Sequence, residues 1–216
     1  MVDPKDGKIP PLTPEAQKRI AARAAARKTS GRGEADSWTD RSLYDRCITR
    51  GVVGSTLPVG YNAGNQIVQG PGYVALRYEM IHETRVIPLD RRPHVGERIR
   101  TYMGDPRGHW EGNTLVVETT NFNGKAGITG NGRATYTSDA IRLVERFTRV
   151  DRDTLQYEVT IDDPTMWTRP WTVALPLKQD PQYGMFEYAC HEGNYGLRNI
   201  LSASRAGDQE SAAKAK

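Results

Sequence analysis

Residues 140–163 read AIRLVERFTRVDRDTLQYEVTIDD. Apolar and polar side chains alternate on both sides of Asp151-Arg152-Asp153, and Leu155, Tyr157, Val159 and Ile161 fall on one face of the second run. A period of two marks a strand with one buried face, and a short polar joint between two such runs marks a turn, so the stretch predicts an antiparallel hairpin. Moving outward, RGHWEGNTLVVETTNF (107–122) repeats the pattern with a turn at Gly112-Asn113. YVALRYEMIH (73–82) places Val74, Leu76, Tyr78, Met80 and His82 on one face and Arg77 and Glu79 on the other. PWTVALPL (170–177) and MFEYACH (185–191) supply two further candidate strands.

Short strands joined by small connections predict an all-β antiparallel meander. Closing about eight to ten strands into a barrel removes exposed edges and leaves room for one small ligand. The expected fold is therefore a lipocalin-like, calycin-type barrel preceded by an N-terminal helix. Gly108-His109-Trp110 is similar to the G-x-W motif of lipocalin-like barrels, although it stands mid-chain here and near the first strand there.

The 216 residues, 37% of them hydrophobic, suit one sizeable core. Residues 1–35 are read as a basic helix and linker, 36–205 as one β-barrel domain and 206–216 as a disordered tail. Thr13 followed by Pro14 is an N-cap and first helical residue for PEAQKRIAARAAARK, whose mostly alanine apolar content gives little to anchor it, so this leader is expected to be loosely docked. GRGEADS (31–37) reads as the linker, and the glycines at 70–72 and 130–132 read as turns. No apolar run approaches the roughly 18 residues of a membrane span.

The net charge of +4 comes from the leader: residues 1–33 hold eight Lys and Arg against three Asp and Glu. A near-neutral body is a poor nucleic-acid surface, which needs a dense basic face to neutralise phosphates, so no nucleic-acid partner is expected.

Two of the four histidines sit in polar clusters, His82-Glu83-Thr84-Arg85 and His191-Glu192-Gly193-Asn194-Tyr195. A histidine beside a carboxylate is suited to proton transfer near neutral pH. On strand geometry His82 points inward as a candidate base, or is a buried histidine satisfied by a backbone carbonyl. His191 with Glu192 would serve as acid or orienting pair, and Tyr78 or Tyr188 as donor to a developing oxyanion. Arg85 joins the ligand-facing set. Adjacent strand residues point to opposite faces, so His82 and Glu83 do not share an ion, and no HExxH pattern is present: neither a metal site nor a cofactor is assigned. Trp167, Trp171, Phe186, Tyr188 and Tyr195, with Arg169 among them, either line a pocket for a flat or anionic ligand or are core and rim packing. Asp162-Asp163-Pro164 reads as a capping turn. No G-x-S-x-G elbow surrounds Ser42, Ser55 or Ser138.

Most of residues 36–205 resembles a family of uncharacterised bacterial proteins, many of them exported. The resemblance is carried by DRCITRG (45–51), QGPGYV (69–74), EMIHETRVIPLD (79–90), YMGDPRGHWEGNTLVVETTNF (102–122), LVERFTRVD (143–151), DDPTMWTRPW (162–171) and FEYACHEGNYGL (186–197). It implies no activity, but it implies export, hence a periplasmic or secreted location. In an oxidising compartment two cysteines allow one intramolecular pairing, so the resemblance implies a Cys47–Cys190 disulfide. Two functions follow: a lyase, isomerase or hydrolase using His82, His191, Glu192 and Tyr78 on a hydrophobic or aromatic substrate, or a non-catalytic binder of such a molecule through Trp167, Arg169, Trp171, Tyr188 and Arg85.

Overall fold

Alternating runs become strands where one face finds a core, and eight do so in the computed structural model of the chain, which describes residues 1–29, 35–128 and 137–214. The glycines at 130–132 and linker residues 31–34 lie outside the described residues. Strands β1 (Asn65–Gly70), β2 (Tyr73–Tyr78) and β3 (Thr84–Pro88) form one antiparallel sheet. Strands β4 (Asp105–Glu111), β5 (Thr114–Thr120), β6 (Arg142–Arg149), β7 (Thr154–Asp162) and β8 (Trp171–Lys178) form a second. Both expected hairpins are present. Gly112 turns β4 into β5 with φ +60°, and β6 pairs with β7 from Arg142 opposite Asp162 to Arg149 opposite Leu155. Gly72, with φ +77°, turns β1 into β2.

The meander is thus antiparallel throughout, but among the described residues its ladders make two sheets and not one closed ring. The expected barrel closure would need β3 to pair with β4 and β8 with β1. Instead the two sheets share one core, in which Val74, Leu76, Tyr78 and Ile87 of the first cluster with Leu115, Val117, Leu143, Phe147, Tyr157, Val159 and Ile161 of the second. Gly108 in β4 allows the close approach of β3, because a Cβ there would stand 2.7 Å from Ile87 Cγ2 and 2.8 Å from Leu89 Cδ2.

The open edge of β8 is covered by the N-terminal segment, which is docked and not loose. Thr172 donates its N–H to Asp3 O at 2.7 Å, and Thr168 N–H reaches Pro11 O at 3.0 Å. Helix α1 (Pro14–Thr29) begins as expected, with Thr13 Oγ1 accepting from Ala16 N–H at 3.1 Å, and Ala16 is fully buried. Covering an edge strand removes a template for unwanted pairing. Asp163 is the expected capping turn: its carboxylate accepts from Ser138 N–H at 2.6 Å, Ser138 Oγ at 2.8 Å and Thr165 Oγ1 at 2.9 Å.

Three segments depart from the sequence reading. MFEYACH is not a strand but part of an irregular stretch after β8. Strand β2 stops at Tyr78, because Ile81 and His82 both adopt left-handed backbone, φ +62° and +46°, within a single helical turn at Met80–His82. The C-terminal stretch is helical: α3 runs Tyr195–Lys214, where Ala, Gln, Glu and Lys favour helix over the disorder that their polarity suggests. A short helix α2 (Gly51–Thr56) is buried along its whole length beside the first sheet.

Candidate functional site

The intersheet core is filled at one end and open at the other. Where Ile161 pairs with Trp171 the side chains are buried, whereas at the opposite end, where Leu155 pairs with Leu177, they are only partly covered. There a cleft of about 1140 Å³ opens, floored by Val74, Leu76, Leu115, Phe147, Leu155 and Leu177 and rimmed by polar residues including Gln66, Arg149, Arg152 and Lys178. Trp110 lines it and is 44% exposed. Its size is at or above the upper end of ligand pockets, roughly 300–1,000 Å³.

One wall comes from residues 57–64 and 179–185, latched together over Glu79. This carboxylate, 1% exposed, accepts from Asn62 Nδ2 at 3.0 Å and from the Tyr183 hydroxyl. Gly64 makes room: a Cβ would stand 2.7 Å from Glu79 Oε2 and 2.8 Å from Tyr183 Cε1. Burial pushes the Glu79 carboxyl up, but hydrogen bonds from Tyr183, Asn62 and Gly64 outweigh it and hold it below the ordinary glutamate range. A depressed folded-state pKa contributes stability that is present above the unfolded value and lost as pH falls through the folded one. As pH falls through and below the ordinary glutamate range, wild-type denaturation midpoints should therefore drop more steeply than those of Glu79→Gln; equal slopes would show that the latch carries no linkage.

Apart from the cleft lining, three hydroxyls converge. Tyr44 Oη lies 2.6 Å from Tyr61 Oη, and Tyr61 Oη lies 3.5 Å from Tyr188 Oη. The Arg50 guanidinium, on a residue 6% exposed, stands 5.3 Å from the Tyr44 ring centre. Hydrogen bonds from Tyr188 and Tyr44, helped by the Arg50 charge, bring the Tyr61 hydroxyl below its ordinary value, while burial and bonding to Tyr61 push Tyr44 and Tyr188 up. The disulfide holds this cluster together: Cys47 and Cys190 are joined across a separation of 143 residues with Cα atoms 5.7 Å apart. Asn194 Nδ2 donates to Asp45 O at 2.9 Å beside it.

The residues singled out in the sequence fall into three places. His82 is exposed and not inward, because the left-handed turn ends the alternation; its Nδ1 does meet a backbone carbonyl, Tyr188 O at 2.9 Å, but on the surface and not in the buried setting expected for such a contact. Glu83 takes the inward position, where it accepts from Thr49 Oγ1 at 2.6 Å and burial raises its pKa. His191 and Glu192 are exposed in the turn after Cys190, so His82, Tyr188 and the His191 segment share one neighbourhood. Tyr78 and Arg85 are enclosed between the sheets, where Arg85 Nη2 meets Glu145 Oε2 at 2.5 Å. Trp167 and Trp171 are core, edge to face with centroids 5.5 Å apart, and Arg169 is exposed, 3.5 Å from Asp3. Among the described residues none of these nine lines the cleft. The Tyr44–Tyr61–Tyr188 cluster was missed, since it is assembled from three distant segments; two cysteines flanking Tyr44 and Tyr188 are the signal that would have joined two of them.

Among the described residues no group of three or more His, Cys, Asp and Glu side chains is gathered, and no helix is long and apolar enough to cross a membrane. No protein-family model, curated protein or solved structure matches the chain.

Proposed function

We propose that the protein binds a small hydrophobic or aromatic molecule in the cleft between its two sheets. The observation that carries this reading is the apolar floor of the cleft beneath a polar rim, the composition expected of a ligand site. In use the cleft corresponds to the mouth of a lipocalin-like barrel, a cage of antiparallel strands around one ligand. The Cys47–Cys190 bond supports an extracytoplasmic home, periplasmic or secreted, because such bonds persist where thiols are oxidised. Lyase, isomerase or hydrolase chemistry by His82, His191, Glu192 and Tyr78 is the weaker reading: His82 Nδ1 is turned to a backbone carbonyl, and Tyr78 is enclosed in the core.

Anilinonaphthalene sulfonate, a flat apolar anion, is the test probe. It should quench Trp110 fluorescence saturably, and the quenching component should vanish in Trp110→Phe. A charge on the apolar floor, in Leu177→Glu or Leu175→Glu, should weaken binding about tenfold or more, as burying a carboxylate there is costly. Both leucines are only partly buried, so the melting curve should persist. Unchanged affinity in both variants would remove the cleft as the binding site.

A further inference from the structure

We propose that Tyr61 is a proton-exchanging group at a second site, outside the cleft, for a small enol- or phenol-type molecule. The inference does not rest on ligand binding in the cleft. Its basis is geometric: one phenolic oxygen, on a side chain 56% exposed, stands 2.6 Å from the Tyr44 hydroxyl and 3.5 Å from that of Tyr188, and the Arg50 guanidinium lies 5.3 Å from the Tyr44 ring centre. Tyr44 and Arg50 come from the segment before and at the start of α2, and Tyr188 comes from the stretch after β8. These are the titratable groups that act on Tyr61.

Once the Tyr61 oxygen is ionised it can only accept, so both neighbouring hydroxyls turn to donate to it and stabilise the anion, and the Arg50 charge adds to this. Tyr61 accordingly ionises more easily than an ordinary tyrosine, whereas its two neighbours are pushed the other way. Pairs of groups whose environments drive them apart are the arrangement that proton transfer uses. In one direction the Tyr61 O–H bond breaks, the proton passes to an enolate or phenolate oxygen of the bound molecule, and the electron pair stays on the Tyr61 oxygen. There the Tyr44 and Tyr188 hydroxyls and Arg50 hold the charge. In the reverse direction Tyr61 takes the proton back. Transfer is most efficient between groups of similar acidity, which selects enols and phenols over alcohols. The disulfide fixes the segments that bring Tyr44 and Tyr188 together, so the geometry is set before a molecule arrives.

Tyrosinate absorbance followed against pH, together with binding of para-nitrophenol, tests the proposal. The wild-type titration should show one tyrosine ionising ahead of the others; Tyr61→Phe should remove that phase, and Tyr44→Phe and Tyr188→Phe should each move it to higher pH. Para-nitrophenol should bind as its phenolate, about tenfold or more weakly in Tyr61→Phe, the effect of losing one hydrogen bond to a charged oxygen. An early phase that is missing in the wild type or that survives in Tyr61→Phe overturns the proposal, as does a wild type that fails to bind para-nitrophenol. Binding that is kept in Tyr61→Phe but lost in Leu177→Glu also overturns it, while upholding the cleft.

Discussion

Glu145→Leu is expected to destabilise the fold by about 3–5 kcal/mol, the cost of breaking a buried ion pair from one side. Arg85 on β3 and Glu145 on β6 form a charged link between the two sheets, with side chains 2% and 0% exposed and 2.5 Å between Nη2 and Oε2. Tyr157 donates to the other carboxylate oxygen at 3.1 Å. Burial opposes the Arg85 charge, but Glu145 outweighs it and the guanidinium is raised above its usual range. With Glu145 gone that charge is enclosed without a counter-ion, and Nε and Nη1 have no protein partner among the described residues to share the load. The double variant Arg85→Met, Glu145→Leu should recover most of the loss, since well-packed apolar replacements of such pairs are often neutral. Urea denaturation of the two proteins decides it: a single variant within about 1 kcal/mol of wild type would mean that the interior admits water to Arg85.

Removing the disulfide is the second large effect. Cys47→Ala with Cys190→Ala should lose about 4–5 kcal/mol on the chain-entropy model, because the bond closes a loop across 143 residues of separation. A local loss should accompany the global one. The bond holds the Tyr44 segment against the stretch carrying Tyr188, and Asn194 Nδ2 bridges to Cys47 Sγ at 3.4 Å. Without it the early tyrosine ionisation should shift toward the ordinary value even under conditions where the sheets remain folded. Thiol titration of the denatured, unreduced wild type should find no reactive cysteine. Two thiols per chain, or a double variant as stable as wild type, would sink the claim that this bond organises the cluster.

Alternation along residues 142–149 and 154–162 was enough to determine the β6–β7 hairpin, and residues 105–120 did the same for β4–β5, because a period of two has one way to bury its apolar face. The Thr13 cap and the Asp163 turn were also legible, since each is made by a side chain acting on backbone a few residues away. The cysteine pairing was reached through the family resemblance and the presence of two cysteines, not through geometry.

What only the tertiary structure decided is whatever depends on backbone meeting backbone across long separations. A strand with one buried face has the same pattern in a closed barrel and in two separate sheets around one core, so the division between β3 and β4 left no mark on it. His82 continued the alternation of β2 on paper, but the left-handed turn at Ile81-His82 sent it outward and put Glu83 inward. Arg85 looked ligand-facing until Glu145, 60 residues away, was found opposite it. Tyr44, Tyr61 and Tyr188 carry no sign in their own neighbourhoods that their hydroxyls meet; the folded sheets, the buried α2 and one disulfide bring them within hydrogen-bonding distance, and that proximity is what separates the acidity of one phenol from that of its neighbours.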